Sequence, residues 1–258
     1  MATRPGTARV PDKMRVYAIG DVHGRADLLQ QMLQMIAQDM KDIDQELCSC
    51  VFLGDYLNRG PATKGVIETL VSRPMAPARH TFLRGNHEQV LLGFLNDPGG
   101  LAQFLRYGGS ATLASYGIEV FDARGRLRAD RELHRAFLDA LPESHLKFFR
   151  ELILYSVIGD YLFVHAGIRP GVALDNQQPA DLVSIREPFL SFEGELPYAV
   201  VHGHTRVSEP EIRAARIAID TGAFKTGRLT CLVLEQDQRR FLMTSGNAIA
   251  AHAACRFG

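Results

Sequence analysis

Three times in its first ninety residues the chain runs a short apolar stretch into a Gly-Asp or Gly-Asn pair: MRVYAIGD (14–21), CVFLGD (50–55) and HTFLRGN (80–86). Gly20 and Gly54 lie 34 residues apart and Gly54 and Gly85 lie 31 apart. That spacing is one strand–helix–strand unit repeated, so equivalent residues land at equivalent strand ends. The intervals carry the helices such units need. Residues 26–41 place Leu28, Leu29, Met32, Leu33, Met35, Ile36 and Met40 at helical spacing on one face, and Pro61 suits the first turn of a helix over 61–73. The fold class expected is α/β, with a largely parallel sheet.

Residues 87–151 read as mostly helical, broken by glycine pairs, and their charge-rich stretch DARGRLRADRELHR reads as a solvated loop and helix face. After it LILYSVIGD, YLFVHAG, YAVVHGHT, RIAID, LTCLVLE and RFLMTSG are strands of another, partly antiparallel sheet. Residues 1–13 and 247–258 look like terminal tails around one domain at 14–246, since no linker divides the chain. Lys+Arg and Asp+Glu both total 29. With no net field, nucleic acid and anionic membranes are disfavoured as partners. No apolar run approaches the roughly 20 residues of a membrane-spanning helix and the N-terminus lacks a signal-peptide core, so a cytoplasmic location is expected. Cys48, Cys50, Cys231 and Cys255 form no CxxC pair and read as reduced thiols.

Ligands of open α/β sheets bind beyond the carboxyl ends of the strands. Here those positions hold metal-ligand side chains: Asp21 and His23 in GDVHG, Asp55 in GDYLNRG, Asn86 and His87 in GNHE, His165 in HAG, His202 and His204 in VHGHT. Hard oxygen and intermediate nitrogen donors together suit Mn²⁺, Fe or Zn²⁺ better than Ca²⁺, which prefers oxygen alone, or a thiolate site, which would use the cysteine that this set lacks. Two neighbouring cations need a shared carboxylate, and Asp55 in the middle of the set is the natural bridge. Arg59 and Arg186 supply planar forks suited to phosphate oxygens. His202 reads as a packing histidine, and His80, His134, His145 and His252 have no motif around them.

In these motifs, taken in order across about residues 14–236, the chain resembles the metallophosphoesterases, and within them the phosphoprotein phosphatase family in its compact bacterial and phage form. The resemblance implies a single-domain, four-layer sandwich of two mixed β-sheets flanked by helices, with a dinuclear centre at one edge. It implies two divalent ions, Mn²⁺ foremost, one held by Asp21, His23 and Asp55 and the other by Asp55, Asn86, His165 and His204. It further implies His87 as general acid, Arg59 and Arg186 as phosphate arginines, and direct attack by metal-bound hydroxide on phosphoserine or phosphothreonine proteins, with phosphotyrosine also accessible.

One departure touches the chemistry. The second motif ordinarily reads GDxxDRG, and here Asn58 stands where the acid would pair with the general-acid histidine. Asn supplies no charge, so the sequence predicts a lower pKa for His87 and slow turnover of poor leaving groups. The alternatives are a symmetrical dinucleoside tetraphosphatase, which need not carry Asp at position 58, and a weakly active phosphoprotein-binding pseudophosphatase. Glu88, closing GNHE, favours the protein phosphatase expectation; Arg206, where a further metal-ligand histidine is common in cyclic phosphodiesterases, disfavours that branch.

Overall fold

The computed structural model describes residues 7–246. The three Gly-Asp/Gly-Asn strands are β1 (Arg15–Ile19), β2 (Cys48–Phe52) and β3 (Arg79–Phe82), parallel neighbours in one five-stranded sheet. Between β1 and β2 runs α1 (Ala26–Asp39), and between β2 and β3 runs α2 (Thr63–Val71). α1 buries Leu28, Leu29, Met32, Leu33 and Ile36 on one face, each contributing roughly 1.5–3 kcal/mol. Its first turn is held by Arg25, whose guanidinium binds the Asp27 carboxylate at 2.6 and 2.8 Å and the Ala223 carbonyl at 3.1 Å.

Residues 86–151 form α3 (Asn86–Asn96), α4 (Leu101–Arg106), α5 (Gly109–Ser115), α6 (Asp130–Ala140) and α7 (Glu143–Glu151). They pack with α1 and α2 on the outer face of this sheet through Tyr17, Ile19, Phe52, Phe94, Phe104, Phe137 and Phe149, all fully buried. Part of the charge-rich stretch forms a solvent-facing turn bridged between Phe121 and Leu127.

The second sheet consists of β4 (Tyr155–Ile158), β5 (Tyr161–Val164), β6 (Ala199–His202), β8 (Arg216–Ala218) and β7 (Glu211–Ile212), in that order. β5, β6 and β8 are parallel, and β4 and β7 are antiparallel edges. α8 (Pro179–Ser184) covers the outer face with Leu182, Ile185 and Phe189 against Leu162, Val164 and Val200. Alternate residues of both sheets fill the layer between them: Val16, Ala18 and Val51 from one, Tyr161, Phe163, Val201 and Ile217 from the other. This period of two is what two buried faces require.

Two strands expected in the second sheet belong to the first. β9 (Thr230–Glu235) lies antiparallel between β1 and β10 (Gln238–Met243). Leu232 and Leu234 point into the layer between the sheets while Cys231 and Val233 face the helices, so both faces of β9 are buried. Ala8 and Val10 are buried in the same layer, tied by the bond from Val10 N–H to the Gln236 carbonyl (3.0 Å). No helix among the described residues is long and apolar enough to cross a membrane. Cys48, Cys50 and Cys231 are buried free thiols, and Cys255 and His252 lie outside the described residues.

Candidate metal and phosphate site

The carboxyl ends of β1, β2, β3, β5, β6 and β8 deliver their polar residues to one place. The backbone there is bent into an uncommon conformation: His23, Asp55, Asn58, Arg59 and His204 all have φ between 46° and 69°. Non-glycine residues seldom occupy this left-handed region, at a cost of about 1–2 kcal/mol each, and such strain marks functional sites. Close approach also demands glycine. A Cβ on Gly203 would lie 2.0 Å from Asp21 Oδ1, and one on Gly85 would lie 2.2 Å from Asp55 Oδ1.

Asp55 sits at the centre, with its two oxygens facing different partners. Oδ2 lies 3.6 Å from His23 Nε2 and 3.8 Å from His87 Nε2, and Oδ1 lies 3.4 Å from His165 Nε2. Asn86 Oδ1 is 3.1 Å from His165 Nε2 and 2.9 Å from His204 Nδ1. His23 Nδ1 is 3.0 Å from the Leu57 carbonyl and His165 Nδ1 is 2.8 Å from that of Leu53. Each carbonyl takes the Nδ1 proton, which leaves Nε2 of both rings a free lone pair aimed at Asp55. Donor atoms about 3–3.6 Å apart are spaced as neighbouring ligands around a cation with bonds of about 2.1 Å.

The electrostatics fit cations as well. Burial pushes Asp55 up to about 7, while burial and then the charges of Asp220 and Asp55 raise Asp21 well above the carboxylate range. Burial lowers His165 to about 4 and His204 to about 3, so these imidazoles are neutral and available as ligands. A buried cluster of carboxylates that resist ionisation beside neutral imidazoles is relieved by a bound cation.

Two tight groupings emerge, His23–Asp55–His87 and Asp55–His165–His204. The expected ligand Asp21 lies outside both groupings, its carboxylate accepting the His204 N–H at 3.1 and 3.3 Å. Asp220, beyond β8, was not among the expected residues. It is buried beside Asp21 and accepts the Gly222 N–H at 2.8 Å. Its signal was present in RIAID-TG, a strand running into an acid and then a glycine.

His87 is buried on the other side of Asp55. Asn58 Nδ2 is 2.9 Å from His87 Nδ1, Asn58 Oδ1 accepts from Thr112 Oγ1 at 2.7 Å, and Arg59 Nη2 is 3.1 Å from His87 Nε2. Burial, then the charges of His23 and Arg59, hold the His87 imidazole well below its ordinary pKa. Above these groups opens a cleft of about 560 Å³, with Asp55, Asn86 and His204 at its floor and the exposed Arg59, Arg106 and Arg186 around it. Tyr107 and Phe224 complete its wall, and the Arg59 guanidinium lies 5.4 Å over the Phe224 ring.

The remaining histidines among the described residues pack or pair within the fold. His202 Nε2 faces Arg216 Nη1 at 3.4 Å and its ring packs on Phe189, in keeping with a packing role. His80 accepts from Met75 N–H, His134 reaches the Leu95 carbonyl and His145 pairs with the Tyr116 hydroxyl.

The profile of the calcineurin-like phosphoesterases matches residues 14–226. The asymmetrical bis(5'-nucleosyl)-tetraphosphatase PrpE of Anoxybacillus flavithermus is 26% identical over 83% of this chain and 88% of its own length. The symmetrical bis(5'-nucleosyl)-tetraphosphatase of Legionella pneumophila is 40% identical over 80 residues, 31% of this chain and only 26% of that protein. A solved structure described as a candidate diadenosine tetraphosphatase superposes with a TM-score of 0.63 at 20% identity, covering 93% of this chain and 100% of that one, which establishes the shared fold.

These names overturn the expectation of a phosphoserine or phosphothreonine protein as substrate and partner. The residue that favoured it, Glu88, does not face the cleft. Its buried carboxylate accepts the backbone N–H groups of Asp55 (2.9 Å), Tyr56 (2.8 Å) and Gly85 (2.8 Å), clamping the second strand-end loop to the third. A residue spent on holding two loops together carries no information about what enters the cleft.

Proposed function

The chain belongs to the calcineurin-like phosphoesterases and is a hydrolase, and from that premise we propose that it hydrolyses dinucleoside tetraphosphates at a phosphoanhydride bond. The observation that carries this reading is its alignment with a bis(5'-nucleosyl)-tetraphosphatase along 83% of the chain. We assign Asp21, His23, Asp55, Asn86, His165 and His204 as ligands of two divalent ions, Mn²⁺, Fe or Zn²⁺, with Asp55 shared between them. Such ions, when bound, polarise phosphoryl oxygens and acidify water.

Arg59 and Arg186 then hold the oxygens of the phosphate under attack, each offering a planar pair of N–H donors. His87 faces the leaving group, and its setting suits a particular kind of leaving group. An alkoxide departing from phosphoserine needs a proton, best supplied by an imidazolium stabilised by a carboxylate. Asn58 brings no charge to His87 Nδ1, and burial keeps the ring neutral. A nucleotide departing from a phosphoanhydride leaves as a stable phosphate anion and needs no strong acid. The substitution at position 58 therefore fits anhydride cleavage and penalises ester cleavage.

The test is product analysis by anion-exchange chromatography after incubating metal-loaded protein with diadenosine tetraphosphate. Release of two ADP, or of ATP and AMP, supports the reading and identifies which anhydride is cut. An intact dinucleotide, under conditions where p-nitrophenyl phosphate is hydrolysed, refutes it.

A further inference from the structure

Arg59 and Arg186 suffice for one phosphate, yet a third guanidinium lines the same cleft. We propose that Arg106 binds a phosphate of the polyphosphate bridge other than the one under attack, and so sets the preference for a phosphate chain over a lone phosphate. The proposal rests on the dinucleoside tetraphosphate reading and names the residue that measures chain length.

The fold holds Arg106 there. It is the last residue of α4, whose Leu101 and Phe104 are buried, with Phe104 stacked on Phe94 at 5.2 Å. The next two residues are fastened to the site itself: the Tyr107 ring packs 5.0 Å from His87, and the Gly108 carbonyl accepts the Arg59 N–H at 3.3 Å. The backbone that carries Arg106 is thus locked to the groups that face substrate.

Charge points the same way. Arg15, Arg169, Arg228 and Arg240 all pair with carboxylates. Among the described residues, none of the carboxylates pairs with Arg59, Arg106 or Arg186, and the one acid in the cleft lining is Asp55, which we assign to the metals. Three guanidiniums around one opening, Arg106 and Arg186 beyond reach of the acids that Arg59 faces at the floor, attract an anion with several charges. The cleft volume of about 560 Å³ also falls within the roughly 300–1,000 Å³ of ligand-sized pockets, ample for successive phosphates.

The test uses the full-length, metal-loaded protein with orthophosphate and tripolyphosphate as probes. Their affinities are measured by isothermal titration at saturating Mn²⁺, and as inhibition constants against p-nitrophenyl phosphate. Losing one charge-assisted contact predicts that Arg106→Ala lowers the preference for tripolyphosphate over orthophosphate about tenfold, with Arg106→Lys between the two. An unchanged preference overturns the proposal. So does an equal loss for both anions, which would mean that Arg106 shapes the cleft as a whole. Failure of the wild type to release nucleotides from diadenosine tetraphosphate would refute the substrate reading alone, since the ratio of anion affinities still decides Arg106.

Discussion

Replacing Asn58 with Asp changes one heavy atom in a fully buried position and tests why this chain departs from the acid of the usual GDxxDRG motif. The new carboxylate would stand where the amide now lies, 2.9 Å from His87 Nδ1, with Thr112 Oγ1 still donating to its other oxygen. An opposite charge at that range raises an imidazole pKa by about 1–3 units, or about 1.4–4 kcal/mol in favour of the imidazolium. The population of protonated His87 near pH 7 then rises by about tenfold or more. Phenyl phosphate, which must expel a phenol of pKa about 10, should gain about tenfold in kcat/KM; p-nitrophenyl phosphate should gain less, and diadenosine tetraphosphate should stay within about twofold. The sign with pH follows. A raised pKa gives the variant the larger protonated fraction, by a factor that is full above the raised pKa and falls toward one as pH drops to the lowered wild-type value, so the phenyl phosphate advantage should be greatest at about pH 8–9 and shrink on acidification. Steady-state kinetics on the three substrates decide the matter. An equal factor on all three, or a gain that grows as pH falls, would rule out this role for Asn58.

Adding Mn²⁺ to metal-stripped protein should raise the melting temperature by about 10–20 °C at a hundredfold excess over Kd, since each of the two ions held by the folded state alone contributes about 2.7 kcal/mol. Calorimetry should show that Asp55→Asn abolishes the increase; an undiminished shift would remove Asp55 from the ligand set. Glu88→Gln keeps one oxygen for the Asp55 and Gly85 N–H groups but sets an amide N–H₂ against the Tyr56 N–H, and should cost about 1–3 kcal/mol in urea denaturation. Burial, with the Arg216 charge next in effect, holds His202 down to about 3, below its value in the unfolded chain. Its contribution to stability is therefore full above pH about 6.5 and lost as pH falls toward 3, so His202→Gln should flatten the acid side of the stability curve. A steeper acid limb would contradict this.

What could be read from the sequence was whatever a side chain announces next to a strand end. Asp21, His23, Asp55, Asn86, His165 and His204 follow apolar runs and converge because parallel strands share a carboxyl end. Groups that act through the backbone left no such trace: the Leu53 and Leu57 carbonyls fix two histidine tautomers, yet any residue there would offer the same oxygen. Asp220 obeys the grammar of the other strand ends, but RIAID-TG holds a single acid with no histidine beside it, so it stands out less than HAG or VHGHT. The placement of β9 depends on pairing with β1 across more than two hundred residues, and nothing local to β9 distinguishes the two sheets. Glu88 misled because it reads as a motif letter of one branch, whereas its carboxylate is consumed by three backbone donors and faces no substrate. Asn58 pointed to a His87 imidazole held low in pKa, the direction that burial gives it in the structure, and the leaving group this suits became apparent only beside the relatives' names.

The most direct test of the central claim is competition. Diadenosine tetraphosphate and a phosphothreonine peptide are mixed at equal concentrations with the Mn²⁺-loaded protein, and nucleotide and dephosphorylated peptide are quantified from the same samples. The account predicts nucleotide release faster by about a hundredfold or more, the scale on which a missing general acid penalises an alkoxide leaving group. Peptide dephosphorylation that keeps pace with or outruns nucleotide release would contradict it.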